Sequence, residues 1–216
     1  MKINYQQRME QELIRIRQQD RLPRLLLHSC CAPCSSSVLE RLTPDFEITV
    51  FYYNPNIAPE SEFRRRAEEQ ARLIAQMPHA NPIHLRCGDY EDRAFYELSR
   101  GLEHVPEGGE RCTRCFRLRL ERTARLAAEE GFDYFTTTLS VSPLKDAQRL
   151  NAIGEAVADA RGVRYLYSDF KKKDGYKRSC ILSAQYGLYR QDYCGCVYSR
   201  MERDARVSEN KLSPMQ

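Results

Sequence analysis

RLLLHSCCAPCSSSVLERL, residues 24–42, decides the fold. Arg24 to His28 is a short apolar run and predicts a strand. Ser29 to Ser36 reads as a loop, and Ser37 to Leu42 starts a helix. A strand that feeds a helix through a short loop is the opening of an α/β unit. Working outward, Glu47 to Tyr53 (EITVFYY) is β-branched and aromatic and predicts a second strand. The turn-rich NPNIAP at 54–59 follows it. Further strands are expected at 82–86, 134–139 and 164–167, with helices at 60–77, 94–101, 115–130 and 146–161. In the 60–77 helix, Phe63, Ala67, Ala71, Ile74 and Ala75 line one face. His104 to Arg111 reads as a loop, and Gly131 closes the long helix before it. Strands alternating with helices at this spacing predict an α/β fold, a Rossmann-like and mainly parallel sheet flanked by helices. A cysteine-rich helical and loop segment ends it. In such folds ligands sit beyond the carboxyl ends of the strands, which is where the first cysteines fall.

The expected organisation is an N-terminal helical extension at 1–24, one catalytic metal-binding domain at 25–200, and a polar, frayed tail at 201–216. Residues 5–19 predict an exposed amphipathic helix with Met9, Leu13 and Ile16 on one side, stopped by Pro23. The chain has 216 residues and a formal net charge of +4, mildly basic and too weak to argue for nucleic acid alone. The first 24 residues are dense in Gln, Glu and Arg and lack an apolar targeting segment. No apolar run reaches membrane-spanning length. A reducing cytoplasm, with no membrane partner, is therefore expected.

In that compartment nine cysteines need another explanation than disulfides. Seven form three tight groups: Cys30, Cys31 and Cys34 (CCxxC), Cys112 and Cys115 (CxxC), and Cys194 and Cys196 (CxC). Seven thiols exceed the four that one zinc ion or one cluster takes. Either some are spare or two metal centres stand side by side. Cys112, Cys115, Cys194 and Cys196 could make a four-thiolate zinc site by themselves, and spacing does not separate zinc from iron–sulfur. Buried inert thiols are the better reading for the isolated Cys87 and Cys180. CCxxC lies before a helix N-terminus, whose partial positive charge favours thiolates. Ser35, Ser36 and Ser37 are read as capping that helix, with phosphate binding as the sharper alternative.

HSCCAPCSS at 28–36, NPNI at 54–57, RCTRCFRLRL at 111–120, TTTLSVSPLK at 136–145, and the blocks DFKKKDGYKRS to LYRQDYCGCVYS within 169–199 together resemble epoxyqueuosine reductases of the QueH type. CCAPC, RCxxC and YCGC jointly are highly specific. The resemblance implies a fold related to the adenine-nucleotide α-hydrolase (HUP) superfamily. It implies a 4Fe–4S cluster and a second metal ion beside it, expected to be iron. The implied cofactor ligands are Cys30, Cys31, Cys112, Cys115, Cys194 and Cys196. Cys34 is the seventh candidate metal ligand; the family's second metal includes an aspartate ligand, and here the last position of CCAPC is cysteine. The implied reaction is the last step of queuosine synthesis, in which an epoxide on the wobble nucleoside of tRNA is reduced and its oxygen leaves as water. It takes two electrons and two protons. A metal could polarise the epoxide oxygen, and a proton donor must meet that oxygen. Asp169, Tyr176 and Tyr193 lie in the matching blocks and are the catalytic candidates.

The implied partner is a tRNA anticodon loop. Such loops are read by splaying bases onto aromatics while cations hold the phosphates. Lys171, Lys172, Lys173, Tyr176, Lys177 and Arg178 mix charge and tyrosine in that way, with Asp174 the one acid among them. Arg114, Arg117 and Arg119 are further candidates. Arg64, Arg65 and Arg66 read as a solvated face, neutralised by Glu62, Glu68 and Glu69. Two other functions compete: a zinc-stabilised RNA-binding module, and an ATP-dependent tRNA thiolation enzyme. The second wants glycines in the phosphate loop, where this chain has SCCAPC. An iron–sulfur redox sensor is a third. The sequence names neither an electron donor nor an oligomeric state.

Overall fold

In the computed structural model, residues 2–212 are described. Five strands, β1 (Arg24–Ser29), β2 (Glu47–Tyr52), β3 (Ile83–Cys87), β4 (Tyr134–Thr137) and β5 (Arg164–Tyr165), form one sheet in the order β3-β2-β1-β4-β5. Every pairing is parallel. The helices are α1 (Tyr5–Ile16), α2 (Ala32–Leu42), α3 (Glu60–Gln76), α4 (Asp92–Ser99), α5 (Glu110–Glu129), α6 (Ala147–Arg161), α7 (Gly175–Gln185) and α8 (Val197–Leu212). The expected α/β architecture is what forms.

The sheet is buried on both faces, as a parallel sheet requires. β1 is its centre, and its side chains alternate between the faces. Leu25 and Leu27 join Met9, Leu13 and Ile16 of α1 with Val38, Leu39 and Leu42 of α2. Leu26 points the other way, to Phe116 and Leu120 of α5 and Leu150 and Val157 of α6. Burying each such side chain stabilises by about 1.5–3 kcal/mol before entropy is counted. Met9, Leu13 and Ile16 of α1 are thus part of the main core rather than one side of an exposed helix.

Several boundaries differ from the sequence reading, each for a local reason. α2 begins at Ala32, inside the expected loop. Pro33 suits a first helical turn, and Ser35 and Ser36 bond back to the carbonyls of Cys31 and Pro33. The serines therefore lie within the helix and do not cap it; Cys31 occupies the cap position. α5 begins at Glu110, so Cys112 and Cys115 stand on its first turns. β4 stops at Thr137, because the Thr137 hydroxyl accepts from Leu139 N at 3.2 Å and turns the chain into a 3-10 turn over Thr138–Val141. The buried stripe of α3 is Phe63, Arg66, Gln70 and Leu73, while Ala71 and Ala75 face solvent. Hydrogen bonding of Arg66 and Gln70, described below, overrides the apolar periodicity. Finally, the segment expected to fray from Met201 is helical as far as Leu212; residues 213–216 of that tail lie outside the described residues, as does Met1. Among the described residues no helix is long and apolar enough to cross a membrane.

Candidate metal centre

Three sheet neighbours end together. β1 is paired with β2 on one side and β4 on the other, His28 standing opposite Phe51 and Thr137. The segments that follow these strands carry CCAPC, NPNI and TTTLSVSPLK, so register alone brings them together. His28 is fully buried and spans the junction. Its Nε2 donates to Tyr53 O at 3.0 Å, and Nδ1 accepts from the Thr137 hydroxyl at 2.8 Å. Burial first, then the Arg119 charge, drives its pKa down to about 3, so the ring is neutral. Behind it, Ser29 and Ser35 share Gln70 Oε1 at 2.8 and 2.9 Å and fix the entry into α2.

The Sγ atoms of Cys30, Cys31 and Cys34 lie within 4.8 Å of one another, the spacing a single ion could bridge. Cys30 is the acidic member. Hydrogen bonds from Cys31 and Cys34 hold its pKa well below the usual thiol value, with Lys145 and Thr138 adding to the effect against burial. Cys31 moves up to about 12, chiefly because its proton is shared with Cys30. A cation entering the trio would displace the protons of its thiols.

A second thiol group stands behind the first. α5 presents Cys112 and Cys115 one turn apart. Cys194 and Cys196 come from the turn before α8. Gly195 between them has φ +116, and a Cβ there would come within 2.9 Å of Arg66 Nη1 and Ile57 Cγ1. Only glycine fits that backbone and that gap. Its carbonyl accepts from Ala58 N at 3.1 Å, tying the NPNI segment to the C-terminal cysteines. Backbone N–H groups already point at sulfur: Gly108 N to Cys112 Sγ at 3.2 Å, and Ser199 N to Cys196 Sγ at 3.3 Å. Burial raises the pKa of Cys115 to about 11 and of Cys196 to about 12. Arg111 fastens the approach to this group. Buried itself, it donates to the carbonyls of Leu102 (2.9 Å), Glu103 (3.0 Å) and Val105, and to Glu202 of α8.

Three cations lie against the thiols, and the sequence reading assigned none of them there. Arg119 is 1% exposed. Its Nη1 donates to Asn54 Oδ1 at 3.0 Å, while Nε and Nη2 have no partner. Burial opposes its charge, and nearby Cys115, Cys194, Cys30 and Cys112 sustain it. It is a component of the site and not an RNA-facing arginine. Arg66 is likewise buried, in place of the solvated role expected of it. It bonds Glu62 at 2.7 Å and Cys194 O at 3.2 Å, and its Nη2 is unpartnered. Lys145, half-buried, feels burial against its charge and Cys194, Cys30 and Cys34 in favour of it; the thiols win and its pKa rises. One signal was available: Arg119 follows Cys115 by four residues and so shares its helix face.

Orphaned buried N–H groups beside converging thiols are what an anionic metal–thiolate group would satisfy. The residues present therefore fit such a group. A cleft of about 470 Å³ opens onto the site, lined by Cys30, Cys31, Cys34 and Cys194 from the two thiol groups. Tyr176 and Tyr193 are on its wall, whereas Asp169 is held by Lys171 at 2.7 Å and is not among its lining residues.

The basic stretch after β5 is divided. Lys171, Lys173 and Arg178 pair with Asp169, Glu10 and Glu40. Lys172 and Lys177 are exposed and carry no ion pair among the described residues. Arg64 pairs with Glu60, Arg114 with Glu110 and Arg117 with Glu121, all on solvated helix faces. Cys87 and Cys180 join neither thiol group; Cys87, on edge strand β3, is exposed and not buried, and Cys180 is half-buried.

The family described as "Epoxyqueuosine reductase QueH" matches residues 25–202. A protein of that name from Staphylococcus epidermidis is 41% identical over 206 residues, which cover 94% of this chain and 87% of that protein. Its namesake from Streptococcus pyogenes is 42% identical, over 92% of this chain and 78% of the relative. The Thermotoga maritima namesake is 36% identical, over 86% and 94%. With the paired thiol groups and their cleft beyond the strand ends, this match over nearly the whole length shows that the chain belongs to the epoxyqueuosine reductase QueH family.

Proposed function

We propose that the chain reduces the epoxide of epoxyqueuosine in the tRNA anticodon loop to queuosine at this cleft, with Cys112, Cys115, Cys194 and Cys196 holding a 4Fe–4S cluster and Cys30, Cys31 and Cys34 holding an adjacent metal ion, iron. The observation that carries the reading is the cleft wall itself, where both thiol groups meet with Arg66 and Lys145. The division of ligands follows spacing. Among the described residues, no three of the other four thiols come as close as the CCAPC trio. A tetrahedral zinc site would draw four sulfurs to about 3.8 Å. The family match, rather than thiol spacing, favours the enzyme over a zinc-stabilised RNA-binding module.

Bound there, the metal groups would supply electrons singly and a Lewis acid for the epoxide oxygen. In the net reaction both C–O bonds break, a C=C bond forms, and the oxygen leaves as water with two electrons from an external reductant and two protons. The protein's part is to position and protonate. Tyr193 precedes Cys194, lines the cleft and lies under Arg66 and Arg203, whose charges stand 5.3 and 4.9 Å from its ring centroid. Tyr193 is the favoured donor because it lines the cleft directly beside the thiol of Cys194 in sequence, with Tyr176 on the same wall the second candidate. Arg119, Arg66 and Lys145 offset the thiolate charge. Lys172 and Lys177, exposed and without ion pairs among the described residues, would meet RNA phosphates. A tRNA substrate implies action in the cytoplasm, where tRNA is found.

The test is anaerobic purification, incubation with epoxyqueuosine-containing tRNA and dithionite, and nucleoside mass spectrometry. Conversion to queuosine by a brown, iron-loaded protein is expected. A colourless zinc protein without turnover would return the zinc-stabilised module to first place.

A further inference from the structure

Leu144 is the most exposed large hydrophobic side chain described, at 77%. Single exposed leucines are ordinary on protein surfaces. This one, however, is on the wall of the substrate cleft, between Pro143 and Lys145. It is also held out rigidly. Pro143 restricts the backbone before it. Leu144 N donates to the Ser142 hydroxyl at 3.3 Å, and Lys145 N closes the turn on Ser142 O at 3.2 Å. The turn is anchored by buried Val141 before it and by Asp146, which caps α6 through Gln148 N at 2.8 Å, after it.

Tyr176, 41% exposed, belongs to the same cleft and has the Arg190 guanidinium 5.9 Å from its ring centroid. Lys145, Arg190 and Arg206 line the cleft with it, alongside Glu107, Asp192 and Glu202, and Lys172 and Lys177 are exposed in the chain segment that holds Tyr176. An apolar tip and an aromatic ring among cations match the chemistry of an unpaired nucleic-acid loop, which offers flat apolar base faces between phosphates.

We propose that Leu144 is a wedge that enters the base stack of the anticodon loop next to the modified nucleotide, while Tyr176 stacks on a displaced base, so that the modified nucleotide can reach the thiol-lined cleft. Side chains that open nucleic-acid stacks elsewhere are apolar and project from the surface in this manner. The wedge makes Leu144 a substrate-positioning residue. The inference rests on the tRNA reading above, and the experiment separates the two.

The iron-loaded protein is mixed with an anticodon stem-loop RNA carrying 2-aminopurine beside the wobble position, whose fluorescence rises on unstacking. Turnover of epoxyqueuosine-containing tRNA is measured in parallel with dithionite, so that no protein reductant takes part. The wild type is expected to raise the fluorescence. Leu144→Ala is expected to abolish the rise and to raise KM about tenfold, the loss of roughly one stacking contact. Leu144→Met should keep both signals. Ile14→Ala, an equally conservative truncation of an exposed residue of α1, should resemble the wild type. A Leu144→Ala protein with wild-type fluorescence rise and KM, in the presence of a converting wild type, overturns the wedge alone. A wild type that converts no epoxyqueuosine tRNA overturns the functional reading and the wedge with it.

Discussion

Cys30 and Thr138 are bonded twice: Cys30 N donates to Thr138 Oγ1 at 3.3 Å, and the same hydroxyl donates to Cys30 Sγ at 3.5 Å. The hydroxyl thus fixes both the backbone and the sulfur of the most acidic thiol in the CCAPC trio. Groups that orient a metal ligand from outside typically contribute 10–100-fold in metal affinity, roughly. Thr138→Val keeps the shape and deletes the hydroxyl. We expect it to weaken iron retention at the trio about tenfold, read by chelator competition, and Thr138→Ser to restore it.

Arg119 faces the thiols with two unpartnered N–H groups. Arg119→Met keeps most of the volume and removes the charge. A fixed cation beside an anionic redox centre favours the more negative, reduced state. The variant is therefore expected to show a lower midpoint potential in an anaerobic redox titration, with less iron retained. An unchanged potential in iron-replete Arg119→Met would contradict the electrostatic role.

Gly195→Ala tests the glycine between the last two cysteines, the proposed cluster ligands Cys194 and Cys196. Its φ of +116 and the 2.9 Å approach to Arg66 leave no space for a methyl group. Forcing the chain to another conformation costs about 1–3 kcal/mol locally and moves Cys194 and Cys196 together. Circular dichroism should report a folded protein, while iron and sulfide analysis should show the cluster content reduced by more than half.

Asp133 gives a pH signature. It bonds both Arg21 and the Arg24 backbone N–H, and Arg164 lies 3.8 Å away. The Arg21 hydrogen bond is the chief cause of a pKa below the ordinary aspartate value of 3.8. The folded carboxyl holds its proton less tightly than the unfolded one, so its contribution is present above that value and is lost as pH falls through the folded pKa. Asp133→Asn should cost about 1 kcal/mol at neutral pH, since Arg21 is largely solvated. In urea melts the difference from wild type should shrink as the pH falls below the ordinary aspartate range and through the lowered folded pKa.

Much of the fold was legible because the core strands are simple. RLLLH and EITVFYY have no competing pattern, and parallel order follows from the helices between them. The seven thiols announced themselves by spacing. What sequence reading lost were polar side chains whose burial depends on distant partners. Arg66 looks like its neighbours Arg64 and Arg65 until Cys194 O, far along the chain, accepts its hydrogen bond. Arg119 looked like RNA-facing charge for the same reason, its partner being Asn54 beyond β2. The start of α2 was misplaced because serine favours caps as a residue type, whereas here Ser29 and Gln70 satisfy Ser35 within the helix. Local propensity carries no record of such contacts.

The NPNI segment, tied through Ala58 N to the carbonyl of Gly195, sets an order of events during biosynthesis. Chains emerge from the ribosome N-terminal end first. CCAPC is therefore made before Cys194 and Cys196, and before the glycine that holds the earlier segment against them. A chain that has not reached Cys194 carries the sulfurs of CCAPC and α5 without the segment that packs against them, so the seven-thiol site is complete only once both ends of that hydrogen bond exist.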